Sequence, residues 1–179
     1  MNTRADWLRE RKGLLTASDI AAILGEHPHK TNIDVYMDKI TDDICQDDED
    51  HLKFGRDVEG AIANLYETRT GNEVIDIGST VISKHPDIDW IGATLDRKTV
   101  IDGVQVPLEL KHVGGFVNMQ EWQDEPPTHY QIQCQIQCAC EKDEFSKLAG
   151  LFPGYQLGQK RLEYSQDFFD SIFPELDEF

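Results

Sequence analysis

Residues 94–111, TLDRKTVIDGVQVPLELK, give the clearest indication of fold in the chain. Val- and Ile-rich stretches lie on both sides of Asp102-Gly103, and an Asp-Gly connection of two residues is typical of a β-hairpin. We therefore expect two antiparallel strands, one over 90–101 and one over 104–111. Pro107 lies within the second strand and cannot donate a hydrogen bond to a neighbouring strand, which predicts a bulge or a sheet edge at this point.

The predicted hairpin brings three charged side chains together. Apolar and polar residues alternate in its second strand, so Glu109 and Lys111 lie on the same face, and the turn places Asp96 on the facing strand. Two carboxylates and a lysine at this spacing suit metal-assisted hydrolysis of a phosphodiester. Carboxylates hold hard divalent cations, the metal activates water and stabilises the leaving oxygen, and a lysine positions the water or offsets developing charge.

The spacing leaves two alternatives open. Asp96 also combines with Lys98 and with Pro86-Asp87 in a rival PD…DxK register, and all these residues are equally compatible with surface positions or salt bridges. Substitution of Glu109 separates the two registers, because only one of them uses that carboxylate.

The segments around the hairpin predict a helical N-terminal third followed mainly by strands. Capping residues and helical spacing of apolar side chains predict helices over 5–12, 16–24, 32–40, 52–70 and 166–173. Enrichment in Val, Ile and aromatic residues predicts further strands over 73–77, 80–83, 145–151 and 155–164. This order favours an α/β (α+β) fold with a central mixed β-sheet flanked by helices.

Residues 129–141 fit two kinds of element. The string QIQCQIQCAC at 131–140 alternates as a strand does, yet its Ile and Cys residues also recur every four positions, as on a helix face. Pro126-Pro127 directly before it is typical of a helix start. A strand of this length would be unusual, so we predict a helix.

Length and charge bound the function. The 179 residues are interpreted as a single domain, 1–179, and the net charge of −17 taken alone argues against nucleic acid as a partner. However, residues 41–50 and 163–179 each hold six acidic residues and no basic one; without them, 22 acidic residues face 17 basic ones. We interpret these segments as an acidic loop and an acidic C-terminal segment, which leaves room for a basic face elsewhere.

Cysteine spacing and hydropathy bear on the compartment. Cys45, Cys134, Cys138 and Cys140 match neither a disulfide framework nor a zinc pattern, and we expect reduced, largely buried thiols. The charged N-terminal residues do not resemble a signal peptide, and no apolar stretch is long enough to span a membrane. A cytoplasmic protein is therefore expected.

Four motifs follow one another along the chain. The first two are Trp7-x3-Arg11-x4-Thr16-Ala17-Ser18 and Phe54-Gly55-Arg56-Asp57-Val58-Glu59. The third combines Thr94-Leu95-Asp96 with Leu108-Glu109-Leu110-Lys111, and the fourth is Tyr130-x2-Gln133-x-Gln135. With these motifs, over about residues 5 to 160, the chain resembles the lambda exonuclease and YqaJ-like viral recombinase family, phage-type exonucleases of the PD-(D/E)xK nuclease superfamily. The resemblance implies a restriction-endonuclease-like core.

The resemblance also implies a role for particular residues. The metal ligands it implies are Glu59, Asp96, Glu109 and the Leu110 carbonyl, holding two Mg²⁺ ions for which Mn²⁺ can substitute. The catalytic residues it implies are Asp96, Glu109, Lys111 and Gln133, with Lys111 serving the attacking water and Gln133 supporting the site. The DNA phosphate, that of a 5′ end, would be held by Arg11 and Ser18. His112 and His129 flank these motifs and are interpreted as bystanders.

The activity implied by the resemblance is Mg²⁺-dependent exonuclease digestion of linear double-stranded DNA, 5′→3′, by two-metal hydrolysis, leaving 3′ single strands for phage-type recombination. An endonuclease or single-strand nuclease on the same fold is the alternative, and a catalytically idle acidic DNA mimic is a weaker one. Implied partners are double-stranded DNA ends, a single-strand annealing protein and a homo-oligomeric ring (trimer), in the host cytoplasm of a phage or prophage. The apolar residues Phe169, Ile172 and Phe173 are a candidate contact for such a ring or partner.

Overall fold

The N-terminal third is helical, as predicted. The computed structural model describes residues 4–41, 50–115 and 117–179. Its first elements are α1 (Arg4–Lys12), β1 (Leu15–Thr16), α2 (Ala17–Ile23), α3 (Asn32–Ile40) and α4 (Asp50–Thr70). The short strand β1 was not predicted. Gly71 ends α4 in a left-handed conformation (φ 74°), with its N–H bonded to the Glu67 carbonyl at 2.9 Å.

The predicted hairpin forms, but its first strand is interrupted. β4 (Ile91–Ala93) and β5 (Arg97–Ile101) replace the single strand expected over 90–101, and Asp96 lies in the connection between them. β6 (Val104–His112) follows the turn, where Asp102 and Gly103 have φ of 52° and 83°. Two consecutive positive φ values are what a right-twisted two-residue hairpin requires, which explains why Asp-Gly occupies this position.

The hairpin lies inside a mixed sheet of five strands, in the order β2-β5-β6-β7-β8. The other three members are β2 (Val74–Ile75), β7 (Phe145–Phe152) and β8 (Gln156–Glu163). Within this five-stranded sheet, β6 and β7 are the only neighbours that pair in parallel. Their pairing begins at Leu108, so at Pro107 the strand β6 is paired only with β5. The predicted sheet edge at Pro107 is therefore confirmed.

The segment 129–141 is helical, as predicted. It belongs to α6 (Thr128–Glu141), which is preceded by α5 (Met119–Asp124) and supplies the crossover between the parallel strands β6 and β7. A second, three-stranded sheet has the order β1-β4-β3, where β3 is Ser83–Lys84. The predicted mixed α/β (α+β) architecture is confirmed, with two sheets in place of one.

The last helix, α7 (Gln166–Glu178), packs against the main core. Phe169 and Ile172 are buried, and Phe173 packs against the same core with its ring stacked on Trp90 at 5.9 Å. The apolar patch predicted to contact a ring partner is thus an internal surface. Its acidic neighbours make α7 an amphipathic helix and not an unstructured tail.

Three of the four cysteines lie among the described residues. Cys134, Cys138 and Cys140 are free and buried, as predicted, and burial raises the pKa of Cys138 and of Cys140 to about 12. Cys45 and nearly all of the acidic loop 41–50 lie outside the described residues. Of the helices described, none combines the length and the apolar character that crossing a bilayer demands.

Candidate active site

The hairpin brings together the three charged residues that its pattern predicts. Asp96, just before β5, accepts a hydrogen bond through Oδ2 from the Leu110 N–H at 2.8 Å, which ties it to the facing strand. Glu109 precedes Leu110 and is only 4% exposed. The ammonium group of Lys111 forms an ion pair with Glu109 Oε1, so both side chains lie on one face of β6, as alternation requires.

The carboxylates of Asp96 and Glu109 lie close together in this group. The single ammonium group of Lys111 does not balance their two negative charges. Burial raises the pKa of Asp96 well above its usual value, and the negative charge of Glu109 raises it further, against the opposing effects of Lys111 and the Leu110 amide. For Lys111, burial alone would lower the pKa, but the charges of Glu109 and Asp96 outweigh it and the pKa is raised. The site therefore favours the arrival of further positive charge.

A glutamine that the motif analysis did not assign holds Glu109 in place. Gln137, on α6 and 2% exposed, donates through Nε2 to Glu109 Oε2 at 2.5 Å and more weakly to the Thr94 carbonyl at 3.4 Å. The resemblance implies this supporting role for Gln133, one helical turn earlier. The available signal was that residues four apart share a helix face, so Gln137 was the next candidate.

Glu59 lies near the two carboxylates but is held by another partner. Its Oε1 is 2.5 Å from Arg97 Nη1, and the same guanidinium donates to the Asp96 carbonyl at 2.5 Å. Burial raises the pKa of Glu59; Arg97 opposes this and Glu109 adds to it. Within 4–41, 50–115 and 117–179, no three His, Cys, Asp or Glu side chains are grouped so that they could hold a metal ion. The expected three-carboxylate group is therefore not formed in this conformation.

The oxygen atoms that are present nevertheless fit a hard divalent cation. Asp96 and Glu109 offer carboxylate oxygens, the donors that Mg²⁺ prefers. The Oε1 atoms of Gln133 and Gln137 are buried without a hydrogen-bond partner among the described residues, and Gln137 is in direct contact with Glu109. Buried acceptors without donors are uncommon in proteins, and a cation or its bound water would satisfy them.

The predicted phosphate-binding residues meet at a second point, the start of α2. Arg11 donates to Thr16 Oγ1 at 3.2 Å, and Ser18 Oγ lies 3.3 Å from the same hydroxyl. The Arg11 guanidinium also lies over the buried Trp7 ring, 4.7 Å from its centre, which fixes its direction. The structure therefore places Arg11 and Ser18 beside each other.

Beneath them is a buried carboxylate that the sequence did not single out. Asp19, 2% exposed, accepts hydrogen bonds from Lys30 at 2.7 Å, from Lys39 at 2.8 Å and from the Thr16 hydroxyl at 2.8 Å. Burial alone would raise its pKa, but the two ammonium groups outweigh that effect and the pKa of Asp19 is lowered. This cluster of Asp19, Lys30 and Lys39 supports the segment that carries Arg11 and Ser18.

The rival register finds other partners. Lys98 forms an ion pair with Glu141, and Asp87 lines a cavity of about 530 Å³ together with Asp143 and Phe169. The structure gives these two side chains separate surroundings, while Glu109 and Lys111 meet at the hairpin.

Most of this chain matches the model of one protein family. The family model of the YqaJ-like viral recombinase domain matches residues 6–144 of the chain. The chain belongs to this family. It is also 30% identical over 175 residues to the uncharacterized protein YqaJ of Bacillus subtilis (strain 168), covering 96% of this chain and 53% of that protein. This YqaJ-family chain therefore spans about half the length of the curated relative.

Solved structures share the YqaJ-family fold described above. An alkaline exonuclease (LHK-Exo) from Laribacter hongkongensis matches with a TM-score of 0.74 at 20% identity, covering 97% of this chain and 89% of that one. The structure of LHK-Exo in complex with dAMP matches with a TM-score of 0.76 at 22% identity, covering 96% and 88% respectively. The predicted family and the restriction-endonuclease-like fold class are confirmed.

Proposed function

We propose that this chain is a metal-dependent deoxyribonuclease, and specifically a Mg²⁺-dependent exonuclease that digests linear double-stranded DNA 5′→3′ to leave 3′ single strands. The observation that carries the proposal is that the Leu110 N–H holds Asp96 across the hairpin, where its carboxylate and that of Glu109 act on each other, and that the Lys111 ammonium pairs with Glu109. Membership of the viral recombinase domain family and the fold shared with an alkaline exonuclease support a hydrolase that cleaves DNA.

Each residue of the site has a part in the proposed hydrolysis. Asp96, Glu109 and the Leu110 carbonyl would hold Mg²⁺ or Mn²⁺, with Glu59 completing a site for two ions after leaving Arg97. When bound, such ions supply Lewis-acid activation of water and stabilise the leaving oxygen. Lys111 orients the attacking water and offsets the charge that develops on the phosphate. Gln137 keeps Glu109 in the orientation that binding requires, and Gln133 supports the site from the same helix.

The preference for an end would come from the start of α2. A terminal 5′ phosphate carries more negative charge than an internal phosphodiester, and the guanidinium of Arg11 with the hydroxyl of Ser18 offers donors suited to it. The partners proposed with this activity are DNA ends, a single-strand annealing protein and a homo-oligomeric ring (trimer). The compartment proposed is the host cytoplasm of a phage or prophage, where the buried thiols stay reduced.

The test compares linear 5′-phosphorylated duplex DNA with closed circular duplex DNA, each incubated with the protein and Mg²⁺. Glu109→Ala removes the proposed site, and Asp87→Ala is the matched control from the rival register. We expect loss of the linear DNA alone, abolished in Glu109→Ala and retained in Asp87→Ala.

The other outcomes are equally informative. Cutting of the circle would replace the exonuclease with an endonuclease. Full activity in Glu109→Ala together with loss in Asp87→Ala would move the site to Asp87, Asp96 and Lys98. The absence of any metal-dependent cleavage by the wild type would overturn the nuclease proposal.

A further inference from the structure

A row of aromatic rings leads away from Lys111 to the surface. The Lys111 ammonium lies over the ring of Tyr130, 4.9 Å from its centre, and that ring is 4.1 Å from His129. His27 follows at 6.0 Å from His129, and His29 at 6.4 Å from His27. We call His27, His29 and His129 the imidazole row. The row joins the loop after α2 to the first turn of α6, on the side where Lys111 lies.

The charges that face the row are almost all positive. Lys30, His29 and Lys111 act on His27, and the carboxylate that opposes them is Asp19, which two lysines already hold. His129 faces His27, Lys111 and His29. Burial is the largest cause lowering the pKa of His27, and burial followed by these positive neighbours lowers the pKa of His129 to about 4. At neutral pH the rings of His27 and His129 are therefore uncharged, and the ammonium groups of Lys30 and Lys111 near them make surroundings that an anion would stabilise.

The hydrogen bonding of His27 fixes where its proton lies. Its Nδ1 accepts a hydrogen bond from the His29 main-chain N–H at 3.2 Å, so the neutral ring carries its proton on Nε2. That N–H is a donor for a ligand. His129 lies in the first turn of α6, where the positive end of the helix dipole adds to the same field.

We propose that His27 and His129 form a subsite for a phosphate of the DNA backbone. The phosphate bound there would neighbour the scissile phosphate. This inference rests on the proposed function, because it assumes that DNA is bound with its scissile phosphate at Lys111. A metal is the less suitable occupant, since in the described part of the chain these rings do not come together as a metal-binding group. A phosphate matches both the N–H donors and the positive surroundings.

Phosphate binding at this subsite has a consequence for protons. A phosphate near the rings favours their charged forms, so their pKa rises when DNA binds and the complex takes up protons. DNA affinity should therefore increase as the pH falls towards 6. The pKa of Lys111 is raised and that of Asp19 is lowered, so neither of these neighbours titrates in this range or contributes to the change.

The experiment measures binding of a fluorescent duplex with 5′-hydroxyl ends, whose phosphodiesters do not titrate in this range, by anisotropy with Ca²⁺ in place of Mg²⁺, at about pH 8 and about pH 6. The variants are His27→Ala and His129→Ala, each also made as the amide isosteres His27→Asn and His129→Gln. The control is His85→Gln, another half-buried histidine whose pKa burial lowers, stacked on Phe169 far from the row. Melting temperatures establish that each variant is folded.

We expect the wild-type affinity to rise about threefold from pH 8 to pH 6. At about pH 6, the alanine variants should bind about tenfold more weakly than the wild type. Each amide variant keeps one of the two rings and should show a smaller pH dependence, the double variant His27→Asn/His129→Gln should bind equally at both pH values, and His85→Gln should behave as the wild type does. Should an alanine variant fail to fold, the amide variants carry the test alone.

Two results distinguish this inference from the proposed function. If the wild type cleaves linear DNA but all row variants bind as it does at both pH values, the subsite is overturned and the nuclease stands. If the wild type binds DNA with the expected dependence on the row but cleaves nothing, the row is a DNA phosphate site, and both the nuclease proposal and the placement of this site beside a cleaved phosphate fail.

Discussion

Two clusters around buried carboxylates, both among the described residues, have opposite charge balance. Asp19 is a single carboxylate bound by two lysines, and its pKa is lowered. Asp96 and Glu109 are two carboxylates with one adjacent lysine, and the pKa of Asp96 is raised. In the first cluster the positive charge exceeds the negative charge, and the charged carboxylate stabilises the fold. In the second the negative charge exceeds the positive charge, and this excess is what the proposed cation would neutralise.

The largest effect expected from this comparison is on activity. Asp96→Asn should reduce DNA cleavage by about a thousandfold or more, because it removes a charged oxygen donor from the proposed metal site. Its stability without metal should not fall, since Asn still accepts from the Leu110 N–H and the repulsion with Glu109 disappears. Cleavage assays and thermal unfolding of the same preparation measure both. Cleavage at the wild-type rate would remove Asp96 from the site.

Asp19→Asn should have the contrasting effect. The free energy of unfolding should fall by about 3 kcal/mol, because Lys30 and Lys39 lose their buried counter-charge. Urea titration at neutral pH measures this change, and Asp19→Asn combined with Lys39→Met should recover part of it. A variant as stable as the wild type would show that the cluster of Asp19, Lys30 and Lys39 is not stabilising.

Substitution of Gln137 measures the effect of orienting Glu109 separately from the effect of its charge. Gln137→Met should lower kcat by about 10- to 100-fold, because Glu109 loses the donor that fixes its position while every charge remains. The control is Gln135→Met on the same helix, whose amide bonds to Glu163 and Ser165 instead of the site. Equal rates for both variants would show that the contact between Gln137 and Glu109 is unimportant to the reaction.

The smallest effect is the pH dependence of stability, measured with metal chelated. The lowered pKa of Asp19 means that its contribution is present above about pH 4 and is lost as the pH falls further. The raised pKa of Asp96 acts in the opposite sense: stability decreases as the pH rises through that pKa. Asp19→Asn should remove the acid-side loss, and Asp96→Asn should remove the decrease at higher pH. Unfolding curves that keep both slopes in the variants would contradict these assignments.

The hairpin half of the site could be predicted because its information is local. The Asp102-Gly103 turn and the alternation in β6 are enough to place Asp96, Glu109 and Lys111 together. Which glutamine of α6 reaches Glu109 depends on how that helix is rotated against the sheet, and both Gln133 and Gln137 satisfy the sequence pattern.

Other features depended on contacts between distant segments. Asp19 binds Lys30 and Lys39, which lie 11 and 20 positions away in sequence. No sequence motif predicts these contacts. The apolar residues of α7 were visible in the sequence, but a helix face looks the same whether it packs on its own core or on a partner. Phe169 and Ile172 are in fact buried in the chain's own core, whereas Phe173 is partly exposed.

The turn at Asp102-Gly103 also has a consequence for the order of folding. It joins Asp96 to Leu110 across only 14 positions, whereas the contact of Gln137 with Glu109 spans 28 and that of Glu59 with Arg97 spans 38. Short loops close at a lower entropic cost and sooner than long ones. We expect the two carboxylates to meet early, and the groups that orient them to arrive when the helices dock. A newly synthesised chain would then bring Asp96 and Glu109 together before Gln137 is in place to orient Glu109.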